Sequence, residues 1–364
     1  MKRFWGLLLS AVLLLGMTPQ TAALSASCAV VLEADSGRVL FAQNAHEPRP
    51  IASITKLMTA LVALESGRDL TEAVEVKAEW TGAEGSSLYL KPGEKITLET
   101  LLYGLMLRSG NDAALAIAGY CGGTVEAFVA RMNAKAASLG MRNTHFANPN
   151  GLNAEGHYSS AYDMALLGRA CLKNEALARM VSTKSIALEN RSFTNHNKLL
   201  WRCPGCIGLK TGYTEKAGRT LVSAAERDGV TLICVTLNDP DDWRDHMALY
   251  DRFFASHKKR VLTQAGERLG YLPVSGALEP LCSVTAAEEV SAALQAGEEP
   301  DAELSLTVDR LTAPVAAGTV VGELRWMLDG KILARTDLIV PQEISCALAP
   351  RRGLWSRLRS GLLH

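Results

Sequence analysis

The sequence predicts an α+β domain followed by a small all-β domain. Two observations carry this. Strand-like segments stand at both ends of a helical middle, so one sheet is assembled from the two ends of a domain. From about Lys258 onward helical runs thin out and short β segments dominate. At 364 residues the chain has room for about two domains, and 48% hydrophobic content supplies their cores.

Taken in order, Cys28 to Glu33 and Val39 to Ala42 alternate like strands, with Asp35-Ser36-Gly37 as the turn between them. After Pro50 comes Ser53, then Leu57, Met58, Leu61, Val62 and Leu64 at helical spacing. Ser53 therefore sits at a helix N-terminus, and Lys56, three residues on, shares its face. Residues 98 to 120 read as two helices broken at Ser109-Gly110-Asn111, and 124 to 138 as another. Thr220 to Ala224 and Thr231 to Leu237 are strands around the turn Arg227-Asp228-Gly229, and a helix from Trp243 to Ser256 closes the domain. In the C-terminal part the strands are Ser305 to Val308, Val320 to Met327 and Leu333 to Val340. Nothing in that part looks catalytic. It serves as a spacer from a membrane or as a partner-binding module.

The ends carry separate signals. Lys2 and Arg3, an apolar run from Phe4 to Met17 and the small residues Thr21-Ala22-Ala23 make a cleavable secretory leader over residues 1–23. The run is shorter than the roughly 20 residues a membrane span needs. A lipoprotein site at Cys28 would want a leucine where Ser25 stands. At the other end, residues 350–364 place Leu354, Trp355, Leu358 and Leu362 on one helical face among four arginines, with no acidic residue. That composition suits a helix lying on a membrane surface. The body between leader and tail keeps 32 of the 38 basic residues against 38 acidic ones. An acidic body with a basic tail fits attraction to anionic lipid, and the overall neutrality gives no footprint for nucleic acid. The domains are thus 24–257 and 258–349.

Eight cysteines are too sparse for a disulfide scaffold. Cys203-Pro204-Gly205-Cys206 is the close pair. It runs into a predicted strand rather than opening a helix, which favours a local disulfide or two free thiols over redox catalysis or zinc. The seven histidines form no metal-binding motif, and no cofactor or metal is called for.

Three short motifs follow one order: Ser53-Ile54-Thr55-Lys56, Ser109-Gly110-Asn111 and Lys210-Thr211-Gly212. Singly, each is a common string: a serine cap with a solvated lysine, a capped loop, a strand end. Together in an exported chain they supply what acyl transfer through serine requires. A serine hydroxyl needs a base. Lys56 serves only if neutral, and burial with a second cation such as Lys210 lowers its pKa. Ser109 can pass the proton to a leaving amine, and Asn111 can hold Lys56 or a substrate amide. The Ser53 backbone N–H is an oxyanion donor, with its partner in the strand at Tyr213.

With these residues in hand, the chain resembles the serine-type D-Ala-D-Ala carboxypeptidases, the low-molecular-weight penicillin-binding proteins. The likeness runs through Ala52 to Ala60, Ser109 to Ala114, Asn148-Pro149-Asn150-Gly151-Leu152, Gly156-His157-Tyr158-Ser159 and Gly208 to Thr214. It continues in Thr312-Ala313-Pro314-Val315 and Gly318 to Gly322, and so spans about residues 28 to 345. The resemblance implies a β-lactamase/transpeptidase-like catalytic domain and a C-terminal β-sandwich domain. It implies that Ser53 attacks the bond between the terminal D-alanines of a peptidoglycan stem pentapeptide, limiting cross-linking, with Lys56 as base and Ser109 and Asn111 as the second element. Lys210 and Thr211 would bind the terminal carboxylate, the Gly212-Tyr213 backbone the oxyanion, and β-lactams would acylate Ser53. An arginine in the helix after the last strands commonly joins the carboxylate site, and Arg244 is the candidate. Competing readings are a β-lactamase, though no deacylating glutamate segment is evident, a D,D-endopeptidase of the same superfamily, and an inactive wall-binding protein.

Overall fold

The computed structural model describes residues 23–347. The leader and the basic tail fall outside these, apart from Ala23. The N-terminal strands are β1 (Cys28–Glu33), β2 (Val39–Gln43), β3 (Ala73–Glu75), β4 (Lys95–Thr97), β5 (Ser185–Leu188), β6 (Arg191–Thr194), β7 (Cys206–Thr214), β8 (Gly218–Arg227) and β9 (Val230–Leu237). The helices are α1 (Lys56–Leu64), α2 (Leu98–Tyr103), α3 (Asn111–Gly122), α4 (Val125–Ser138), α5 (Ala161–Lys173), α6 (Glu175–Ser182), α7 (Leu199–Arg202) and α8 (Asp242–Ser256).

Five strands form one antiparallel sheet in the order β2-β1-β9-β8-β7. The first and last thirds of the domain thus meet at the β1–β9 pair, where Val30 stands opposite Val235. Helices cover both faces, and side-chain alternation sorts the strands between two cores. Ile233, Val235 and Leu237 of β9 join the core of α1, α3 and α5, while Leu232 and Cys234 join that of α8. Covered on both sides, β9 reads as an almost unbroken apolar run. His246 of α8 pins that helix to the sheet, its ring nitrogens 2.6 Å from Ser223 Oγ and 2.9 Å from Thr236 Oγ1.

Helix α1 is buried from Lys56 to Ala63. Such a helix is apolar nearly all round; the exceptions are Lys56 at its first residue and Thr59, whose hydroxyl donates to the Pro149 carbonyl at 2.6 Å. Helices α4 and α5 start where side-chain oxygens take up free amides: Thr124 accepts from Ala127 N and Ser160 from Asp163 N. The break between α2 and α3 is a wide turn over Gly104–Arg108, ended by Ser109 at φ +62°.

The C-terminal part holds β10 (Lys258–Thr263), β11 (Arg268–Ser275), β12 (Leu281–Ala286), β13 (Val290–Leu294), β14 (Asp301–Leu306), β15 (Leu311–Thr312), β16 (Val320–Leu328) and β17 (Lys331–Ile339). Six of these make a sheet in the order β14-β16-β17-β12-β11-β15, and β10 pairs with β13. The strand expected over 305–308 lies at Asp301–Leu306 instead. Every position of this edge strand is exposed, so no burial pattern marks its bounds.

Candidate active site

The three motifs converge on one cavity of about 300 Å³. Ser53, Ser109, Thr211, Gly212 and Tyr213 line it. Ser53 stands in a short 3-10 turn, Ala52–Thr55, that leads into α1. Lys56 follows one turn later, and its Nζ is 2.8 Å from Ser53 Oγ.

The other partners of that amine are informative. Lys56 Nζ donates to Asn111 Oδ1 at 2.7 Å and to the carbonyl of Asn150. Both are pure acceptors, whereas Ser53 is a hydroxyl. In the neutral amine the two protons go to these carbonyls and the lone pair faces the serine hydroxyl, while in the ammonium the third proton would go to the serine oxygen. Lys56 is fully buried. Burial first, then the charge of Lys210, push its pKa well below the usual lysine value, against the opposing pull of Asp112.

Asn111 is aimed by its own amide, which donates to Glu84 O at 2.5 Å. Its neighbour Asp112 accepts from Leu88 N, Leu90 N and Ser87 Oγ, holding the 84–90 loop over the cavity. Lys210 comes from β7 across the cavity. It is 1% exposed, and burial pulls its pKa down to about 7.

Gly212 has a steric reason. A Cβ there would stand 2.5 Å from Thr220 Oγ1 and 2.9 Å from Ser53 N. Only glycine lets β7 run this close to the Ser53 backbone. The Ser53 amide and the next residue of β7, Tyr213, thereby sit on the same side of the cavity.

Arg244 is a correction. It does not line the cavity. It pairs with Asp241 at 2.9 Å and Asp245 at 3.1 Å, and its side chain borders a separate hollow with Leu24, Phe41 and Arg252. The reason is helical phase. Asp242 and Trp243 at the start of α8 face the cavity, and one further residue turns about 100° away. The arginine in the cavity is Arg219, opposite Tyr213 in the β7–β8 register. Its guanidinium is 2.7 Å from Asp242 Oδ1 and 5.3 Å above the Trp243 ring. Sequence reasoning also passed over His196, Ser86 and Trp243, which line the cavity, and the Asn150 carbonyl. The lone signals were the strings Asn148–Leu152 and Lys216-Ala217-Gly218-Arg219, which carry no chemistry of their own.

Cys203 and Cys206 are free thiols at a turn entering β7. Burial raises both thiol pKa values, Cys206 to about 12. Such thiols are poor nucleophiles.

Comparison with known proteins places the chain in a family. A D-alanyl-D-alanine carboxypeptidase family model, peptidase S11, matches residues 16–241. The chain belongs to this family. A second model, the penicillin-binding protein 5 C-terminal domain, matches residues 257–345. The chain is 31% identical to the D-alanyl-D-alanine carboxypeptidase DacF of Bacillus subtilis, over 99% of this chain and 100% of that protein. It is 34% identical to DacA of Escherichia coli, over 90% of this chain and 86% of that one. Among solved structures it is similar to penicillin-binding protein 5 of Haemophilus influenzae, with TM-score 0.74 and 29% identity over 89% of this chain and 98% of that chain. It is also similar to PBP3 of Streptococcus pneumoniae, a peptidoglycan synthesis regulatory factor, with TM-score 0.80 and 26% identity over 89% and 100% of the two chains. These penicillin-binding protein relatives match both the helix-and-sheet part and the all-β part.

Proposed function

We propose that this S11 family member removes the terminal D-alanine from peptidoglycan stem pentapeptides through an acyl-enzyme on Ser53. The observation that carries it is the set of partners around Lys56: two carbonyl acceptors and the Ser53 hydroxyl. Neutral Lys56 takes the Ser53 proton as Oγ attacks the carbonyl between the two D-alanines. The Ser53 and Tyr213 amides receive the oxyanion. Ser109 relays the proton to the leaving D-alanine, and water then hydrolyses the ester. Lys210, Thr211 and Arg219 hold the terminal carboxylate, with Arg219 in the place assigned above to Arg244. A β-lactam presents the same carboxylate and acyl carbon and acylates Ser53.

The leader supports export, and the basic amphipathic end supports peripheral attachment at the outer face of the cytoplasmic membrane. The division at about 257/258 makes the all-β part a spacer between membrane and catalytic domain. The test is D-alanine release from a peptide ending in D-Ala-D-Ala. The mature chain should release it and Ser53→Ala should not. Release by both would overturn the reading.

A further inference from the structure

Thr55 lies between the nucleophile and its base, yet the chemistry above does not use it. Its hydroxyl is buried and donates to the carbonyl of Ala52 at 2.8 Å. The same oxygen is 2.8 Å from His157 Nε2. The other ring nitrogen, Nδ1, is 3.1 Å from the backbone N–H of Ala147. A backbone amide can only donate, so Nδ1 accepts and the ring proton is on Nε2. The hydroxyl has one proton, already given to Ala52. The chain of bonds therefore has one direction: Ala147 N–H to His157, His157 to Thr55, Thr55 to the Ala52 carbonyl.

That carbonyl matters because of where it sits. It belongs to the peptide unit whose N–H is that of Ser53. Ala52 is held at φ +50°, a left-handed conformation that is strained for an L-residue. Gly151 presses on the carbonyl from the other side, since a Cβ there would come within 2.0 Å of the Ala52 oxygen. The neighbouring Asn150 supplies the carbonyl that Lys56 uses. One clamp thus orients the Ser53 amide and one acceptor of the base.

We propose that His157 is a positioning residue for acylation, acting through Thr55 on the peptide unit that presents the Ser53 N–H. Protonation would abolish its acceptor at Nδ1 and break the chain of bonds. Burial resists this, holding its pKa near 4. The Phe146 ring packs edge-on against it, 6.0 Å between centroids. The inference rests on Ser53 as the acylated residue.

The test measures acylation of the full chain by benzylpenicillin, separating its initial binding constant from its acylation rate constant. His157→Phe keeps a ring and removes both nitrogens. Thr55→Val removes the hydroxyl. His157→Gln keeps an acceptor and a donor. Each of the first two should slow acylation about 10-fold, the scale of one lost hydrogen bond, with binding unchanged and every folded molecule still labelled. His157→Gln should recover most of the rate. The double variant should be no slower than either single one, because both cut the same chain of bonds. Parent-like acylation in His157→Phe, or multiplied effects in the double variant, would overturn the proposal. If His157→Phe does not fold, Thr55→Val and His157→Gln decide: parent-like acylation in Thr55→Val sinks the idea. Ser53→Ala run alongside separates the two readings. Labelling of that variant would remove the nucleophile assignment, and the positioning role with it.

Discussion

Arg219 and Asp242 form an ion pair at 2.7 Å across the mouth of the cavity. Asp242 is nearly buried, while Arg219 keeps about 40% of its side chain exposed. The acid therefore aims the guanidinium without consuming it. On the proposed reading, its open side would receive a carboxylate entering beside Lys210 and Thr211.

From this pair comes a contrast between two arginines. Arg219→Ala should raise KM for a D-Ala-D-Ala peptide by roughly 10- to 100-fold, as expected for a lost charge-assisted hydrogen bond. Arg244→Ala, on the far side of α8, should stay within about 2-fold, the usual scale for a surface change. Steady-state kinetics of both variants check this. Equal losses would mean that Arg244 swings into the cavity.

Lys56 sets the acid side of the pH profile. The amine acts only when neutral, and its pKa lies well below the lysine value. Acylation should therefore be lost as pH falls through that lowered pKa and be present above it. Lys56→Ala should cost about 10² to 10⁴ in acylation rate. Rapid-mixing acylation across pH tests both points.

Lys210 sets the opposite limb. Burial brings its pKa to about 7, which makes it neutral above that pH. A cation is needed to bind a carboxylate, so the initial binding constant for benzylpenicillin should weaken as pH rises above about 7. The slope should not exceed tenfold per pH unit. Lys210→Gln should bind more weakly and show no such slope. A slope that persists in Lys210→Gln would assign it to another group.

Gly212→Ala tests the close pass of β7. The new Cβ would strike Thr220 Oγ1 and the Ser53 amide. Something must shift, and the oxyanion donors separate. Acylation should fall by roughly 10²-fold or more, the scale of losing an oxyanion donor, while the fold survives. Circular dichroism with penicillin labelling separates the two effects.

The basic end is tested by truncation. A chain lacking residues 351–364 should move from the membrane to the soluble fraction, since it loses four arginines and the apolar face. Fractionation of both forms reads this directly, and no shift would sink the tail's role.

Legibility in the sequence followed the range of the interaction. The Ser53–Lys56 relation was readable because three residues on a helical turn always share a face. The β1–β2 turn and the β8–β9 turn were readable because their residues are local signals. Helices α5 and α6 and the β5–β6 hairpin left no motif and were not read. The two helices pack against β9, β7 and α1, and the hairpin against the Gly104–Arg108 turn.

Residue types and order thus determined the family of this protein and pointed to Ser53 as nucleophile and Lys56 as base. Tertiary structure decided which groups face them. Burial lowers the pKa of Lys56, and one of the two carbonyls that hold its amine comes from Asn150, 94 positions away in sequence. Arg219 enters the cavity because the β7–β8 register sets it opposite Tyr213, while Arg244 on α8 borders a separate hollow. His157 reaches Thr55 across 102 positions. Such relations depend on strand register and helical phase, which single-residue steps overturn and local sequence does not encode.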